Sequence, residues 1–335
     1  MQPLDTKSPK IVVIGGGTGS FALLSSLKDY TQNITALVNM ADDGGSTGQL
    51  RDELGVLPPG DVRQCLVALS RSPRVRDLFN YRFDQGSLKG HAFGNLFLTA
   101  LEKMTGDFGN ATELAGQVLN IVGRVEPITH DKVTLVMESS DGKVTEGEFH
   151  IGHADFGKHT HPTIRLKPHA SINPVAKEAI EIADIVVIAP GNLYGSIAPA
   201  LVVGGVADAI KATKAKKVYV CNLVTKPGQT DGFTVSDYAD EIERFLSGAK
   251  LDVVLYNSEK PSDELIDRYA HDGEFPVGWD ESVLAGAHYN AKGCDLVAGK
   301  ISEKPDASDA IASTRAFIRH DSDAVARQLM RIYYA

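Results

Sequence analysis

The stretch Lys10-Ile11-Val12-Val13-Ile14, followed at once by Gly15-Gly16-Gly17-Thr18-Gly19-Ser20, decides the predicted fold. The five apolar and mostly β-branched positions indicate a strand that is buried on both faces. Residues Phe21–Lys28 carry apolar side chains at helical spacing, and we expect Ser20 to cap that helix. A glycine turn between a strand and a helix exposes backbone N–H groups that can bind an anion, commonly phosphate. The alternative is a turn that needs glycine only for steric fit.

The α/β pattern continues through much of the chain. Ile34–Val38 is predicted to form a second strand. A helix is expected to begin at Asp61, with Gln64 completing a capping-box-like pair. Three further helix–strand pairs follow: Pro174–Ala183 with Ile185–Ala189, Pro199–Thr213 with Lys217–Cys221, and Val235–Ser247 with Leu251–Leu255. This order predicts an α/β fold: a Rossmann-like, mostly parallel sheet with helices on both faces.

The middle of the chain has a different pattern. From Val75 to Leu119 the apolar spacing is mostly helical, which indicates an inserted helical lobe. Val133–Met137 and Val144–Phe149 flank Asp141-Gly142 and predict a small antiparallel hairpin, and Gly152–His169 reads as a polar loop region. We therefore predict one domain over residues 1–335, with a core of 10–70 and 170–335 and an insertion of about 71–169. Short helices are expected near Ser262–Tyr269 and Ser322–Tyr333.

Composition excludes several function classes. The chain has 335 residues, 43% hydrophobic content, 23% charged content and a formal net charge of −9. A broad basic surface is therefore not expected, and nucleic acid is excluded as a partner.

The cysteines and the apolar segments indicate the cellular compartment. Cys65, Cys221 and Cys294 are odd in number and widely spaced, which favours free thiols in a reducing cytosol. Residues 1–9 are polar and Ile197–Ile210 is too short and interrupted to span a bilayer, so we expect a cytoplasmic protein without membrane insertion.

Polar residues follow five of the predicted strands. These strand ends are Gly15–Ser20, Asp42–Ser46, Pro190–Asn192, Asn222 and Asn257-Ser258. In an open parallel sheet, ligands bind at the carboxyl ends of the strands near the point where strand order reverses. Turns favour the same residue types, so one or two such ends would carry little weight. Five together favour a polar pocket along that edge.

Two loops at this edge are candidate anion cradles. They are Gly15–Gly19 and the Gly191–Ser196 loop, and together they suit a ligand with two phosphates, or with a phosphate and a sugar. Asp42 and Asp43 would repel bare phosphate, so we expect them to contact sugar hydroxyls or a bridging Mg²⁺, unless they form only an exposed acidic turn. No Lys-Ser/Thr pair follows the glycines, which argues against a Walker A motif, and Ser20 stands where a dinucleotide motif needs glycine.

Several of these motifs resemble one known family. The stretches are Gly15–Gly19, Asp42–Arg51, Pro58–Arg63, Gly90–Leu96, Pro190–Ser196, Tyr219–Asn222, Lys226–Thr230 and Arg319–Asp321. They resemble the gluconeogenesis factor (YvcK-like) family, in the same order, from about residue 10 to the C-terminus. That family is related to the 2-phospho-L-lactate transferases (CofD). The resemblance implies a Rossmann-like core that binds a nucleotide diphosphate.

The two branches of this relationship imply different functions. YvcK-like proteins bind UDP-sugars such as UDP-N-acetylglucosamine and link gluconeogenic growth to cell wall synthesis and cell shape, with no reaction firmly assigned. The transferases use Mg²⁺ and move phospholactate from a guanosine diphosphate compound to a deazaflavin. They typically carry Ser-Pro-Asp-Leu-Asp-Thr where this chain has Pro58–Arg63, which favours the YvcK-like branch. The resemblance makes cell wall synthesis proteins candidate partners. Self-association into a homo-oligomer is a separate possibility, which the sequence leaves open.

The resemblance also suggests individual residues. Tyr269 and Arg319 match positions of the UDP-sugar site, and they could supply an aromatic face and a diphosphate-binding guanidinium. Asn192 and Gly195 stand where the family usually has serine and threonine, and Lys226 where it usually has glutamine. The predicted binding residues are Gly15, Gly16, Gly17, Thr18, Gly19, Asp42, Asp43, Gly191, Asn192, Ser196, Asn222, Tyr269 and Arg319; Asp42 and Asp43 are also the candidate Mg²⁺ ligands.

Catalytic residues are left open, with three candidates. These are Asp43, Asp61 and His91, of which His91 could donate to phosphate or transfer a proton, or simply lie at the start of a helix. Four other histidines crowd a short stretch: His150, His153, His159 and His161. Their spacing matches no helix-borne zinc pattern, and an exposed or supporting role is favoured over a metal site.

Overall fold

The computed structural model describes residues 8–157, 161–298 and 319–335. The strands are β1 Ile11–Gly15, β2 Ile34–Val38, β3 Arg124–Pro127, β4 Thr134–Glu138, β5 Val144–Glu146, β6 Thr163–Lys167, β7 Ile185–Ile188, β8 Lys216–Val220, β9 Val253–Asn257 and β10 Asn290–Cys294. The helices are α1 Gly17–Leu27, α2 Gly45–Leu54, α3 Gly60–Leu69, α4 Pro73–Asn80, α5 Phe93–Thr105, α6 Phe108–Leu119, α7 Glu148–Gly152, α8 Pro174–Glu181, α9 Ala198–Leu201, α10 Val206–Ala212, α11 Val235–Phe245, α12 Asp263–Ala270, α13 Glu281–Ala285 and α14 Ser322–Tyr334.

Seven strands form one parallel sheet in the order β10-β9-β8-β7-β1-β2-β3. β1 pairs with β2 on one side and with β7 on the other, both in parallel register. From β1 the chain adds β2 and β3 toward one edge of the sheet. It then returns to the other side of β1 with β7, and β8, β9 and β10 follow toward the opposite edge. The strand order therefore reverses between β1 and β7, and a crevice at their carboxyl ends is the expected ligand position in such a sheet.

Successive residues of β1 face opposite sides of the sheet, as the pleat requires. Val12 and Ile14 pack into one apolar cluster, which includes side chains of α8, α10 and α11. Ile11 and Val13 pack into the other cluster, with side chains of α1, α3 and α14. The prediction of a Rossmann-like sheet covered by helices on both faces is confirmed.

The inserted region contains both predicted and unpredicted elements. The hairpin is confirmed, because β4 pairs antiparallel with β5 across the Asp141-Gly142 turn. A third strand, β6, also pairs with β4 where a polar loop was expected, so that expectation is wrong for residues 163–167. Its Thr-Ile-Arg-Leu-Lys sequence alternates in polarity and buries Ile164. Strand β3, also unpredicted, pairs with β2 and ties residues 124–127 to the main sheet.

Two expected helix caps are wrong. Helix α1 begins at Gly17, with Gly16 as its N-cap, so Ser20 lies inside the helix. The buried Ser20 hydroxyl has no hydrogen-bond partner among the described residues. Helix α3 begins at Gly60 with Pro59 as its N-cap and no side-chain cap, so the Asp61–Gln64 pair does not form a capping box. The Asp61 side chain is instead directed toward the glycine loop.

The expected helix from Pro199 to Thr213 is divided into shorter pieces. A π-helical turn at Leu193–Ile197 leads into α9, which ends at Leu201, and α10 starts only after its N-cap Gly205, whose φ is +93°. The backbone of Gly204 bonds to Ala170 and Ile172 instead of continuing the helix. Strand β10 at the sheet edge was also unpredicted. None of the helices described here combines the length and apolar character needed to cross a membrane.

Candidate functional site

The loops that follow β1 and β7 meet in direct contact. A Cβ atom added to Gly19 would lie 1.7 Å from the carbonyl oxygen of Pro190, so only glycine allows this approach. The backbone N–H of Ala189 also donates to the carbonyl of Ile14, which joins the two strand ends. The sequence-predicted loops Gly15–Gly19 and Gly191–Ser196 therefore lie side by side at the point where the strand order reverses.

The amides of the glycine loop face a carboxylate of the protein itself. The Gly17 N–H donates to Asp61, and a Cβ on Gly16 would lie 2.2 Å from Asp61 Oδ2. Burial, together with the charge of Asp42, raises the pKa of Asp61 to about 7. Near neutral pH this carboxyl group therefore exchanges between its charged and neutral forms, at the place where the sequence predicted a phosphate cradle.

Asp42 lies beside Asp61. Its Oδ1 accepts from the Gly44 N–H at 2.9 Å, and its carboxylate also bonds to the Thr47 hydroxyl. A Cβ on Gly60 would lie 2.9 Å from Asp42 Oδ2, so the first residue of α3 packs closely on this carboxylate. Burial is the largest cause that raises the pKa of Asp42. Two half-buried acids, one in the acidic turn and one in α3, thus lie side by side.

Asp43 accepts hydrogen bonds from the N-terminus of α7, the short helix that follows β5. Its two carboxylate oxygens accept from the backbone N–H groups of Glu148, at 3.1 Å, and Phe149, at 2.8 Å. These are the first residues of α7, so Asp43 satisfies donors that a helix N-terminus leaves unpaired. The predicted ligand-binding acid therefore also docks the inserted lobe against the main sheet.

Glu148 is a site residue that the sequence reasoning missed. The pKa of Glu148 is raised to about 8, mainly because the carboxyl group is removed from water. The negative charges of Asp42, Asp61 and Asp43 raise it further. Lys226 acts in the opposite direction, and its amino group donates to the carbonyl of Gly152 at the end of α7. The sequence signal for a turn before Glu148 was the glycine at position 147. In the structure the φ of Gly147 is +94°. Nothing in the sequence indicated which surface that turn would face.

Glu148 also contacts the second predicted cradle. A Cβ on Gly195 would lie 2.9 Å from Glu148 Oε1 and 3.2 Å from Asn192 Nδ2. The Oδ1 atom of Asn192 accepts from the N–H groups of Tyr194 and Gly195, both at 3.2 Å. Asn192 therefore caps the π-helical turn, which also contains Ser196. The acidic cluster of Asp42, Asp43, Asp61 and Glu148 lies between the two glycine-containing loops.

Asn222 connects β8 to the loop after β7. Its Nδ2 donates to the Gly191 carbonyl at 2.7 Å, and its Oδ1 accepts from the Gly191 N–H at 3.3 Å. The Tyr219 hydroxyl also donates to Asn222 Oδ1 at 3.3 Å. These contacts occupy both ends of the amide group, so Asn222 fixes the position of the loop.

His91 reaches the acidic turn from the inserted lobe. Its Nδ1 lies 2.9 Å from Ser46 Oγ, at the first turn of α2. Asn95 also donates to Ser46 Oγ at 3.3 Å, and Arg63 Nε donates to Asn95 Oδ1 at 2.9 Å. The structure thus places His91 near the residues that follow Asp42 and Asp43, through side chains that the sequence reasoning did not select.

Tyr269 and Arg319 lie farther along the same edge. Tyr269 is only 3% exposed and belongs to the apolar cluster that contains Leu223 and Leu296. Arg319 is exposed, and its neighbour His320 lies with Nε2 3.0 Å from the carbonyl oxygen of Cys221, next to Asn222. Burial lowers the pKa of His320 to about 4. The roles of Tyr269 and Arg319 in ligand binding stay predictions.

Two of the described histidines of this stretch, His153 and His161, make separate contacts. His153 Nδ1 contacts the carbonyl oxygen of Phe149 at 2.7 Å, His161 pairs with the buried Glu241, and His159 lies outside the described residues. Within residues 8–157, 161–298 and 319–335, no three His, Cys, Asp or Glu side chains are grouped as metal ligands would be. Asp42 accepts from the Gly44 N–H and Asp43 from the N–H groups of Glu148 and Phe149, and their role as Mg²⁺ ligands stays a prediction.

Two cavities open at opposite ends of the strands. The larger, about 410 Å³, lies at the amino ends of β8–β10 and is lined by several lysines, far from the loops described above. Lys216 in that cavity donates to the Ile332 carbonyl, and Lys217 pairs with Asp252. The smaller cavity, about 250 Å³, lies at the carboxyl ends of β8 and β9, and Asn222 lines it. Only the smaller one adjoins the candidate site.

Comparison with known proteins agrees with this arrangement. A family model described as 2-phospho-L-lactate transferase CofD matches residues 11–301. A gluconeogenesis factor of Bacillus subtilis is 37% identical over 97% of this chain and 98% of its own length. The gluconeogenesis factor of Halalkalibacterium halodurans is 42% identical over 83% of this chain and 86% of its own length.

A solved structure is also similar. The crystal structure of a UPF0052 family member from Bacillus halodurans superposes with a TM-score of 0.87 at 36% identity, covering 97% of this chain and 99% of that one. The similarity therefore includes the main sheet, the inserted lobe and the loops of the candidate site together. This chain belongs to the gluconeogenesis factor family, within the wider group of CofD-like proteins.

Proposed function

We propose that this protein is a cytoplasmic regulatory protein that binds a UDP-sugar, such as UDP-N-acetylglucosamine, and links gluconeogenic carbon metabolism to cell wall synthesis and cell shape. Membership of the gluconeogenesis factor family supports this proposal. The observation that carries it is the contact between the β1 and β7 loops, where Gly19 lies against Pro190 at the reversal of strand order. Parallel α/β sheets bind nucleotides at such a position.

The electrostatics of the site set a condition on diphosphate binding. The amides at Gly17 and Gly195 already donate to Asp61 and Asn192, and four carboxylates lie nearby. A diphosphate can approach only if some of those carboxylates are neutral, because like charges repel in a buried site. The raised pKa values of Asp61 and Glu148 provide neutral carboxyl groups near physiological pH. Binding should therefore be accompanied by proton uptake.

A melting experiment with UDP-N-acetylglucosamine tests this function. At a ligand concentration one hundred times the dissociation constant, binding stabilises the folded state by about 2.7 kcal/mol. For a chain of 335 residues, the melting temperature should rise by roughly 4 °C. Mass spectrometry after the incubation should recover the nucleotide sugar intact. If no uridine nucleotide raises the melting temperature, the proposal is wrong.

A second candidate is a CofD-like transferase that moves a phosphorus-containing group, of the 2-phospho-L-lactate type, from a nucleotide diphosphate donor. The specific observation that favours it is the pair of carboxyl groups, Asp61 and Glu148, whose pKa values of about 7 and about 8 suit proton transfer at neutral pH. Incubation of wild-type protein with donor, acceptor and Mg²⁺ in the buffer should then give product, and Asp61→Asn should abolish it. Donor that stays intact after long incubation would remove this candidate.

A further inference from the structure

The smaller cavity, here called the β8–β9 cavity, has walls suited to a flat ring. It has a volume of about 250 Å³, and its lining includes Tyr256, Ile266, Pro276 and Trp279. The rings of Tyr256 and Trp279 lie with centroids 5.6 Å apart and planes inclined by 50°. Trp279 remains 36% exposed although it is a large apolar side chain. An aromatic ligand that stacks on this indole would cover it.

The cavity lining holds two charged side chains, Glu259 and Lys260. The Nδ2 of Asn257 donates to the Glu259 carbonyl, and its Oδ1 accepts from the Leu296 N–H at 3.1 Å. Lys260, a lining residue, pairs with Asp263 at 2.7 Å. A phosphate in this cavity would meet the Glu259 carboxylate, and the positive charge of Lys260 is already paired with Asp263. The lining selects a neutral, planar group rather than an anion.

The β8–β9 cavity adjoins the site at the strand reversal through Asn222. Asn222 lines the cavity and also holds Gly191 through its amide group at 2.7 Å. Strands β7 and β9 are separated by β8, so their ends lie two strand spacings apart, about 10 Å. That separation matches the reach between the base and the diphosphate of one nucleotide, so one ligand could fill both places.

We infer that the β8–β9 cavity holds the planar base of the nucleotide, with its ring against Trp279 and Tyr256. The inference rests on the proposed function, because it assumes a nucleoside diphosphate ligand at the Gly191–Ser196 loop. The cavity volume admits a pyrimidine or a purine, so the chemical class assigned is a nucleobase. Trp279 and Tyr256 are thus the side chains that stack on the base, and the loops determine the position of the phosphates.

The chain contains a single tryptophan, so its fluorescence reports on this cavity directly. Full-length protein is titrated with UDP-N-acetylglucosamine, uridine, guanosine and inorganic pyrophosphate while the emission of Trp279 is recorded. The base-containing probe that binds should change the emission, and pyrophosphate, which has no base, should leave it unchanged. A preference for uridine or for guanosine identifies the base.

Variants separate a direct contact from an indirect effect. Trp279→Ala and Tyr256→Leu should each weaken UDP-N-acetylglucosamine binding at least five-fold by calorimetry, in line with the stacking of a base on an aromatic side chain. Trp279→Phe keeps a ring and guards against a folding defect, and it should retain most of the affinity. Tyr334→Ala is the matched control, because Tyr334 is an aromatic residue that is 69% exposed at the end of α14.

The outcomes distinguish this inference from the proposed function. If UDP-N-acetylglucosamine raises the melting temperature but Trp279→Ala and Tyr256→Leu bind it as tightly as the wild type, the base lies elsewhere and the proposed function stands. Equal changes of Trp279 emission with pyrophosphate and with nucleotide would also overturn the base assignment. If no nucleotide raises the melting temperature or changes the emission, both are wrong.

Discussion

Asp43 caps the short helix that begins at Glu148. Its carboxylate accepts from the Glu148 N–H at 3.1 Å and from the next N–H at 2.8 Å. This contact bridges residues that are 105 positions apart in the chain, and it brings the Glu148 side chain next to the acids that follow β2 and begin α3. One acidic residue of the predicted site thus determines where another, unpredicted one lies.

Removal of this cap should destabilise the protein. We expect Asp43→Ala to lower the free energy of unfolding by about 1–3 kcal/mol, because two helix N–H groups lose a charged acceptor. Urea denaturation followed by circular dichroism measures the change. Asp52→Ala is the control, since Asp52 is 70% exposed and pairs only with the adjacent Arg51. A loss no greater than that of Asp52→Ala would show that Asp43 does not hold α7 in place.

Stability should fall as the pH rises through the acidic to neutral range. The pKa of Asp61 is about 7 in the folded protein and near 3.8 in a model peptide, so the folded state holds a proton that the unfolded state has lost. Stability is therefore highest below pH 4 for this group and is lost as the pH approaches 7, by an amount on the order of 2–4 kcal/mol.

The isosteric variant Asp61→Asn should remove most of this dependence while keeping an acceptor for the Gly17 N–H. Thermal denaturation of the two proteins between pH 4 and pH 8 is the measurement. The variant should be the more stable protein at pH 8 and close to the wild type at pH 4. Parallel curves for wild type and variant would mean that Asp61 is not protonated in the folded state.

Ligand affinity should have its own pH dependence. A bound diphosphate raises the pKa of nearby carboxyl groups further, so binding of UDP-N-acetylglucosamine takes up protons and weakens as the pH rises from about 6 to 9. Glu148→Gln should flatten this dependence, because the pKa of Glu148 is about 8. Calorimetry in buffers of different ionisation enthalpy counts the protons directly. An affinity independent of pH would place the diphosphate away from these acids.

The contact between the two loops can be tested with a single methyl group. Gly19→Ala places a Cβ atom 1.7 Å from the Pro190 carbonyl oxygen, so the loops must separate, and we expect a loss of about 1–3 kcal/mol in stability together with loss of nucleotide binding. Gly286→Ala is the matched control, because its Cβ would meet only ordinary contacts of 3.6 Å and longer. Unchanged melting of Gly19→Ala would contradict the close approach.

Local patterns predicted the fold well. The β-branched run at residues 10–14 and the strand Ile34–Val38 were recognisable because strands buried on both faces need continuous apolar residues. The cap of α3 and the strand β6 were not recognisable, because their signals are weak; the start of α3 was predicted to within one residue. Pro59 rather than a polar side chain caps α3, and β6 pairs in a sheet of three strands whose polar residues alternate.

The sequence by itself determined that an α/β sheet would carry glycine, carboxylate and amide groups at one edge, because these residues follow strands and strand ends are local features. Only the tertiary structure decided which of them meet. Asp61 reaches the glycine loop, Glu148 joins the acids through the cap at Asp43, and Tyr256 and Trp279 line one cavity. These contacts join distant parts of the chain, and burial there, rather than residue type, raises the pKa of the carboxyl groups.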